Sequence, residues 1–393
     1  MKIFKKKVSS PINFKKYKTV ILAIIVALAC GFFFTTYKVA SQSNSNSSSA
    51  VPEIQKILSL KTTAEQSQEL IKLMDRVGPV EAQNLMYKSG LPFTGETHLL
   101  IHTVGNYIFQ KYGLDGLPYC REYFLSACYH GFIINTLADY HMEGMVKAME
   151  KCQEEGAGVA SQCAHAAGHG FVAWQDYDLI KSLKMCDELG GLVENFANFN
   201  CYDGVFMENL WGVHGGVPSE KRWIKDDDIY YPCDDSRIPE KYLNGCWSNQ
   251  ASLMYQHFKG DLKKTAEGCD AVENPLFKQT CYNNFARQIH PLTEGKKEKV
   301  VSLCQNATGQ EWQEYCMITN MTASWSVGDR VLPFDLCSSF IDPLESRCFD
   351  QLIGMINFDY GQKPAEKKIY CDKITNEAEK DRCLNVQINQ SGQ

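Results

Sequence analysis

The spacing of the cysteines constrains this chain more than any other feature. It has 17 of them, and all but Cys30 fall beyond residue 119 in a regular rhythm. Taken two at a time they pair as Cys120 with Cys128, Cys152 with Cys163, Cys186 with Cys201, and Cys233 with Cys246. The series continues with Cys269 and Cys281, Cys304 and Cys316, Cys337 and Cys348, and Cys371 and Cys383. Most pairs span about a dozen positions and recur about every 34 residues, a period that marks helical-hairpin arrays. The local signals agree. Lys297-Glu-Lys-Val-Val-Ser-Leu-Cys304 reads as a helix closed by the first cysteine, and Asn274-Pro275 and Asp342-Pro343 read as starts of the next helix. Asparagine or aspartate caps a helix and proline suits its first position. The second cysteine then falls one or two turns into the second helix. The expected fold is therefore all-α: a superhelical array (solenoid) of hairpins, each stapled by a disulfide at its shared turn. The Cys120–Cys128 spacing is short for two helices and a turn.

So many cysteines without any Cys-x-x-Cys argue for an oxidising compartment, and against zinc ribbons or thioredoxin-like chemistry. The N-terminus points the same way. Residues 1–18 are rich in lysine and precede an uncharged apolar run over 19–37. About 20 apolar residues span a bilayer, and the lysines ahead of them keep the N-terminus cytoplasmic. The expected topology is a single-pass signal anchor, a Ser/Asn-rich linker over 38–50, and an extracytoplasmic domain over 51–393, periplasmic or on the cell surface. That domain divides into N-terminal helices over 51–119 and cysteine-paired repeats over 120–393. A signal peptide cut after Ser41 is the alternative reading of the apolar run. Net charge is −6, and no long basic run follows the N-terminal segment, so nucleic acid is not an expected partner. The expected partners are the membrane, through the N-terminal helix, and a peptide, protein or small molecule in the groove of the array. Asn306-Ala-Thr308, Asn320-Met-Thr322 and Asn389-Gln-Ser391 match glycosylation sequons.

Candidate chemistry centres on Cys163-Ala-His165-Ala-Ala-Gly-His169-Gly. Two histidines at i and i+4 share one face of a helix. Cys128-Tyr-His130-Gly repeats the cysteine-to-histidine offset, Cys201-Tyr-Asp203-Gly places a carboxylate there, and His98 and His102 form another i, i+4 pair. The position two residues past each second cysteine reads His130, His165, Asp203, Ser248, Asn283, Ile318, Asp350, Asn385. Polar groups at matching positions of neighbouring helices converge on one groove. His98, His102, His130, His165 and His169 are thus the expected ligands of a divalent transition metal. Zinc suits imidazoles, and iron or manganese suits a histidine and carboxylate mixture. Glu208 and Asp203 are the expected general bases of a metal-dependent hydrolase, or else the partners that orient the imidazoles. There is no His-Glu-x-x-His, which argues against a zincin, and no Cys-x-x-Cys-His for haem. Glycines beside these residues predict a close approach of helices. The interval from Cys201 to Cys233 is overlong and carries His214, Arg222, Trp223 and Asp226–Asp228, read as a solvated loop or a lid. The function expected from all this is metal or ligand binding in a histidine-lined groove, with a non-catalytic scaffold for a peptide or protein as the alternative.

Overall fold

The computed structural model describes residues 52–89, 91, 95–212, 219–361 and 363–386. All regular structure among them is helical. The apolar segment, the linker, His214 and the sequon at Asn389 lie outside the described residues. Among those described, no helix is long and apolar enough to cross a membrane.

Three helices open the chain: α1 (Pro52–Leu58), α2 (Thr63–Val77) and α3 (Pro79–Lys88). α1 packs on α2, α2 and α3 pack on α4 (Gly95–Tyr112), and α3 also packs on α5 (Tyr123–Glu154). Thr62 starts α2 with a full capping box, its hydroxyl accepting from Glu65 N while Glu65 returns the bond. Then follow α6 (Ala157–Trp174), α7 (Leu179–Leu192), α8 (Asn198–Trp211), α9 (Glu240–His257) and α10 (Leu262–Asp270). The remainder is α11 (Pro275–Ile289), α12 (Lys297–Cys304), α13 (Gly309–Ser326), α14 (Leu332–Cys337), α15 (Leu344–Tyr360), α16 (Pro364–Cys371) and α17 (Glu377–Asn385).

All eight expected disulfides are present among the described residues, with Cα separations from 5.4 to 6.4 Å. From Cys163 onward the second cysteine of each pair sits within the first eight residues of its helix. Those helices contact one another in succession: α5 with α6, α6 with α8, α8 with α9, then α11, α13, α15 and α17. The shorter helices α7, α10, α12, α14 and α16 pack back on the partner to which they are stapled. The buried apolar side chains form one continuous cluster from Ile54 to Cys383.

Helix starts follow the sequence signals closely. Asn274 accepts from Leu276 N and Phe277 N to cap α11, with Pro275 at its first position. At Asp342-Pro343 the helix begins one residue later than expected, with Pro343 as the cap. The first unit departs further. Cys120 follows a short 3-10 helix, Gly113–Tyr119, and Cys128 and Cys152 share the 32-residue helix α5. No proline interrupts residues 123–154, so the second helix of one unit runs on as the first of the next. Asn320 is fully buried and donates to the carbonyls of Ala286 and Cys316, so that sequon is closed to modification in the folded chain.

The described part of the overlong interval is an irregular segment over 222–239, exposed at Asp226 and Asp227 and tied to the end of α8. The Asn209 amide clamps Trp223 through both of that residue's backbone groups, at 2.7 and 2.9 Å. Arg222 donates to Leu210 O, Arg237 covers the Trp223 ring, and Asp228 accepts from Tyr230 N and Tyr231 N. The segment is a strap fastened to the end of α8.

Candidate metal centre

Four neighbouring helices supply the polar residues. His98 and His102 come from α4, His130 from α5, His165 and His169 from α6, and Asp203 and Glu208 from α8. Glycines set the spacing. A Cβ on Gly131 would press into the carbonyl oxygen of His102, and one on Gly204 into that of His165. The backbones of α4 and α5, and of α6 and α8, therefore approach more closely than any other residue would allow, and this brings their side chains together.

All five histidines form one cluster, with His98 half-buried and the other four buried. His102 is 7% exposed, His130 4%, His165 8% and His169 3%. His130 stands at its centre, with ring centroids 5.0 and 5.5 Å from His98 and His102 and 5.4 and 5.5 Å from His165 and His169. His98, His102 and His130 each offer a ring nitrogen, and these nitrogens lie within 4.8 Å of one another, so the three can hold a metal ion. The closest pairs, His98 Nε2 to His130 Nδ1 at 3.1 Å and His165 Nε2 to His169 Nε2 at 3.0 Å, are at the separation expected of ligands on one ion. The full triad is wider, and metal–nitrogen bonds of about 2.0–2.1 Å would draw it inward.

The hydrogen bonds fix the tautomers. His98 Nδ1 lies 2.9 Å from the carbonyl of Phe124, an acceptor only, so it carries the proton. His98 Nε2 is then a lone pair, 3.1 Å from His130 Nδ1, and the other ring nitrogen of His130 is Nε2. That atom is buried without a hydrogen-bond partner among the described residues. On the other side, His165 Nδ1 donates to Asp203 Oδ2 at 3.0 Å and His169 Nδ1 to Glu208 Oε2 at 2.9 Å. With both Nδ1 atoms engaged by carboxylates, His165 and His169 bring their Nε2 atoms to 3.0 Å from each other. Such an arrangement is satisfied by a shared proton or by a cation.

The carboxylates are held in turn. Glu208 is fully buried, and its Oε1 accepts from Tyr177 OH at 2.9 Å. Asp203 Oδ1 accepts from Asn249 Nδ2 at 2.9 Å and from the Ser248 hydroxyl. Ser248 belongs to the polar column evident in the sequence; Tyr177, Asn249 and the Phe124 carbonyl carry no pattern there. Tyr177 lies just before the cap of α7, and only the packing of that helix on α6 and α8 brings it to the site. A finer regularity is visible with the contacts in hand. His165, Gly168 and His169 stand to Asp203, Gly204 and Glu208 as His102, Gly105 and Asn106 stand to His130, Gly131 and Asn135. In the second pair of helices Asn106 and Asn135 are linked by a 2.6 Å bond where the first has His169 and Glu208.

Burial lowers the His130 pKa well below its ordinary 6.5, and the neighbouring histidines His98, His165, His102 and His169 lower it further. At Asp203 burial pushes upward, but the hydrogen bond and charge of His165, with Ser248 and Arg287, outweigh it and leave the carboxyl below 3.8. The consequence for stability has a definite sign. Below about pH 6.5 the unfolded chain takes up a proton that folded His130 refuses, so stability falls with acidification from that point down to the folded pKa. The Asp203 contribution is present above 3.8 and is lost only as pH falls through its lower folded value. Urea midpoints should therefore decline as pH drops from 7 to 5; a midpoint unchanged over that range would contradict a neutral, buried His130.

Away from this centre, His290 donates or accepts at 3.5 Å with Ser324, and His141 packs on Trp174; both are remote from the metal-ligand geometry. Comparison with protein-family models, curated proteins and solved structures finds no match to this chain.

Proposed function

We propose that this protein is a membrane-anchored, extracytoplasmic solenoid of disulfide-stapled helical hairpins that binds a divalent transition metal in its histidine cluster. The observation that carries this reading is the convergence of five imidazoles, four of them buried, from three adjacent helices, with His130 Nε2 buried and unpaired among the described residues. Burying polar rings in place of apolar ones costs free energy unless a partner repays it, and a bound cation is such a partner. His98, His102 and His130 are the core ligands. Asp203 and Glu208 have their oxygens committed to His165, Ser248, Asn249, His169 and Tyr177, which favours an orienting role over the general-base role expected from sequence. A zinc, iron or manganese ion held here would supply Lewis acidity and an activated water, the chemistry of metal-dependent hydrolysis. Topology follows from the lysine-rich segment before the apolar run and from the eight staples, which need an oxidising compartment.

A second reading, a scaffold for a peptide or protein, draws on a cleft in the later units lined by Lys278, Glu311, Trp312, Tyr315 and Arg347. The two readings separate on metal content. The full-length chain, purified without a histidine tag, should carry at least one transition metal ion per chain by elemental analysis. The His98→Ala/His102→Ala variant should lose at least one while retaining its helicity. Background metal in the wild-type chain would leave the scaffold reading standing alone.

A further inference from the structure

The histidine cluster has two halves, and the triad accounts for only one. His98 and His102 form an i, i+4 pair on α4 to one side of His130; His165 and His169 form another on α6 to the other side. The α6 pair differs from the first in its support. Each of its Nδ1 atoms is bound by a carboxylate, which orients the ring and raises the basicity of Nε2, the arrangement found behind metal-ligating histidines. Both carboxylates are themselves anchored, Glu208 by Tyr177 and Asp203 by Ser248 and Asn249. The two Nε2 atoms, 3.0 Å apart, are thus held by anchored carboxylates at the separation of two ligands on one ion. Two carboxylates close behind them supply the negative charge that a dication requires.

We infer that His165 and His169 hold a second divalent transition metal, beside the one at His98, His102 and His130, so that the centre is dinuclear. This rests on the metal-binding reading above. His130, equidistant from both pairs, sits between the two positions. The remaining coordination sites of the second ion fall to water or to a bound ligand, and two neighbouring ions suit substrates with paired or bridging oxygens, such as phosphate esters.

The test is a count of ions. The full-length apo chain is loaded with zinc(II) alone, desalted, and analysed for metal. Two ions per chain are expected. His165→Ala/His169→Ala should retain one, and His98→Ala/His102→Ala should retain one. Cobalt(II) gives a second readout that needs no variant: two ions in this cluster should show magnetic coupling at full loading that is absent at half loading. One ion in the wild type, kept by His165→Ala/His169→Ala and lost by His98→Ala/His102→Ala, would overturn the second position and leave the first; the α6 pair would then share a proton. One ion lost by either double variant would also overturn it, as a single site built from both halves. No ion in the wild type would remove the metal-binding reading as well.

Discussion

Reduction of all eight disulfides should abolish the fold. Each bridge closes a loop of 8 to 15 residues near the turn between helices. In the chain-entropy treatment a loop of about 15 residues contributes ~3 kcal/mol. Together the bridges exceed the roughly 5–15 kcal/mol by which folded domains are stable. The short helices cannot compensate. α14 has 6 residues and α12 and α16 have 8 each, far below the length at which a helix holds by itself. Thermal melts followed by circular dichroism, with and without a reductant applied under unfolding conditions, measure this directly. The oxidised chain should melt cooperatively at a temperature the reduced chain does not reach. Coincident melting curves would show that the staples are incidental to stability.

The second large effect is expected from a single methyl group. Gly204→Ala places a Cβ against the carbonyl oxygen of His165, and the backbone of α6 cannot turn aside as a flexible side chain would. The helices must separate, which lengthens the bond from Asp203 to His165 and shifts Glu208 away from His169. A cost of about 2–4 kcal/mol is expected, at the upper end of overpacking effects, together with weaker metal binding. Gly131→Ala should act in the same way on α4 and α5. Gly354→Ala is the control: it lies within α15 with no atom within 4 Å of its added Cβ. There the change should be neutral or stabilising by up to about 1 kcal/mol, as the helix propensities of glycine and alanine dictate. Equal destabilisation at all three positions would refute the close-approach argument.

Most of the helical framework was legible in the sequence because its determinants are local. Cysteine spacing, the Asn274-Pro275 start and the end of α12 at Cys304 each act within a turn or two of chain, and all three hold. The merging of two units into α5 was harder to foresee. It depends on the absence of a breaker between Cys128 and Cys152, whereas the cysteine rhythm by itself implies a turn there. The five histidines were found by their matching offsets, since equivalent positions on adjacent helices must meet. Tyr177 and the Phe124 carbonyl were not, because both come from outside the repeating positions and reach the cluster only through tertiary packing. The fastening of Trp223 to α8 was not foreseen, for a related reason. Its clamp is Asn209, a side chain nearly two turns past Asp203 whose role shows only when the chain has doubled back on α8.

The central claim is that the imidazoles of this cluster bind a transition metal. X-ray absorption at the metal edge of the full-length, tag-free protein tests it most directly. The account predicts a first shell dominated by imidazole nitrogen at about 2.0–2.1 Å, with the outer-ring scattering that imidazole gives. That scattering should weaken in His98→Ala/His102→Ala. A first shell of oxygen alone, unaltered by the replacement, would place any bound metal elsewhere and contradict it.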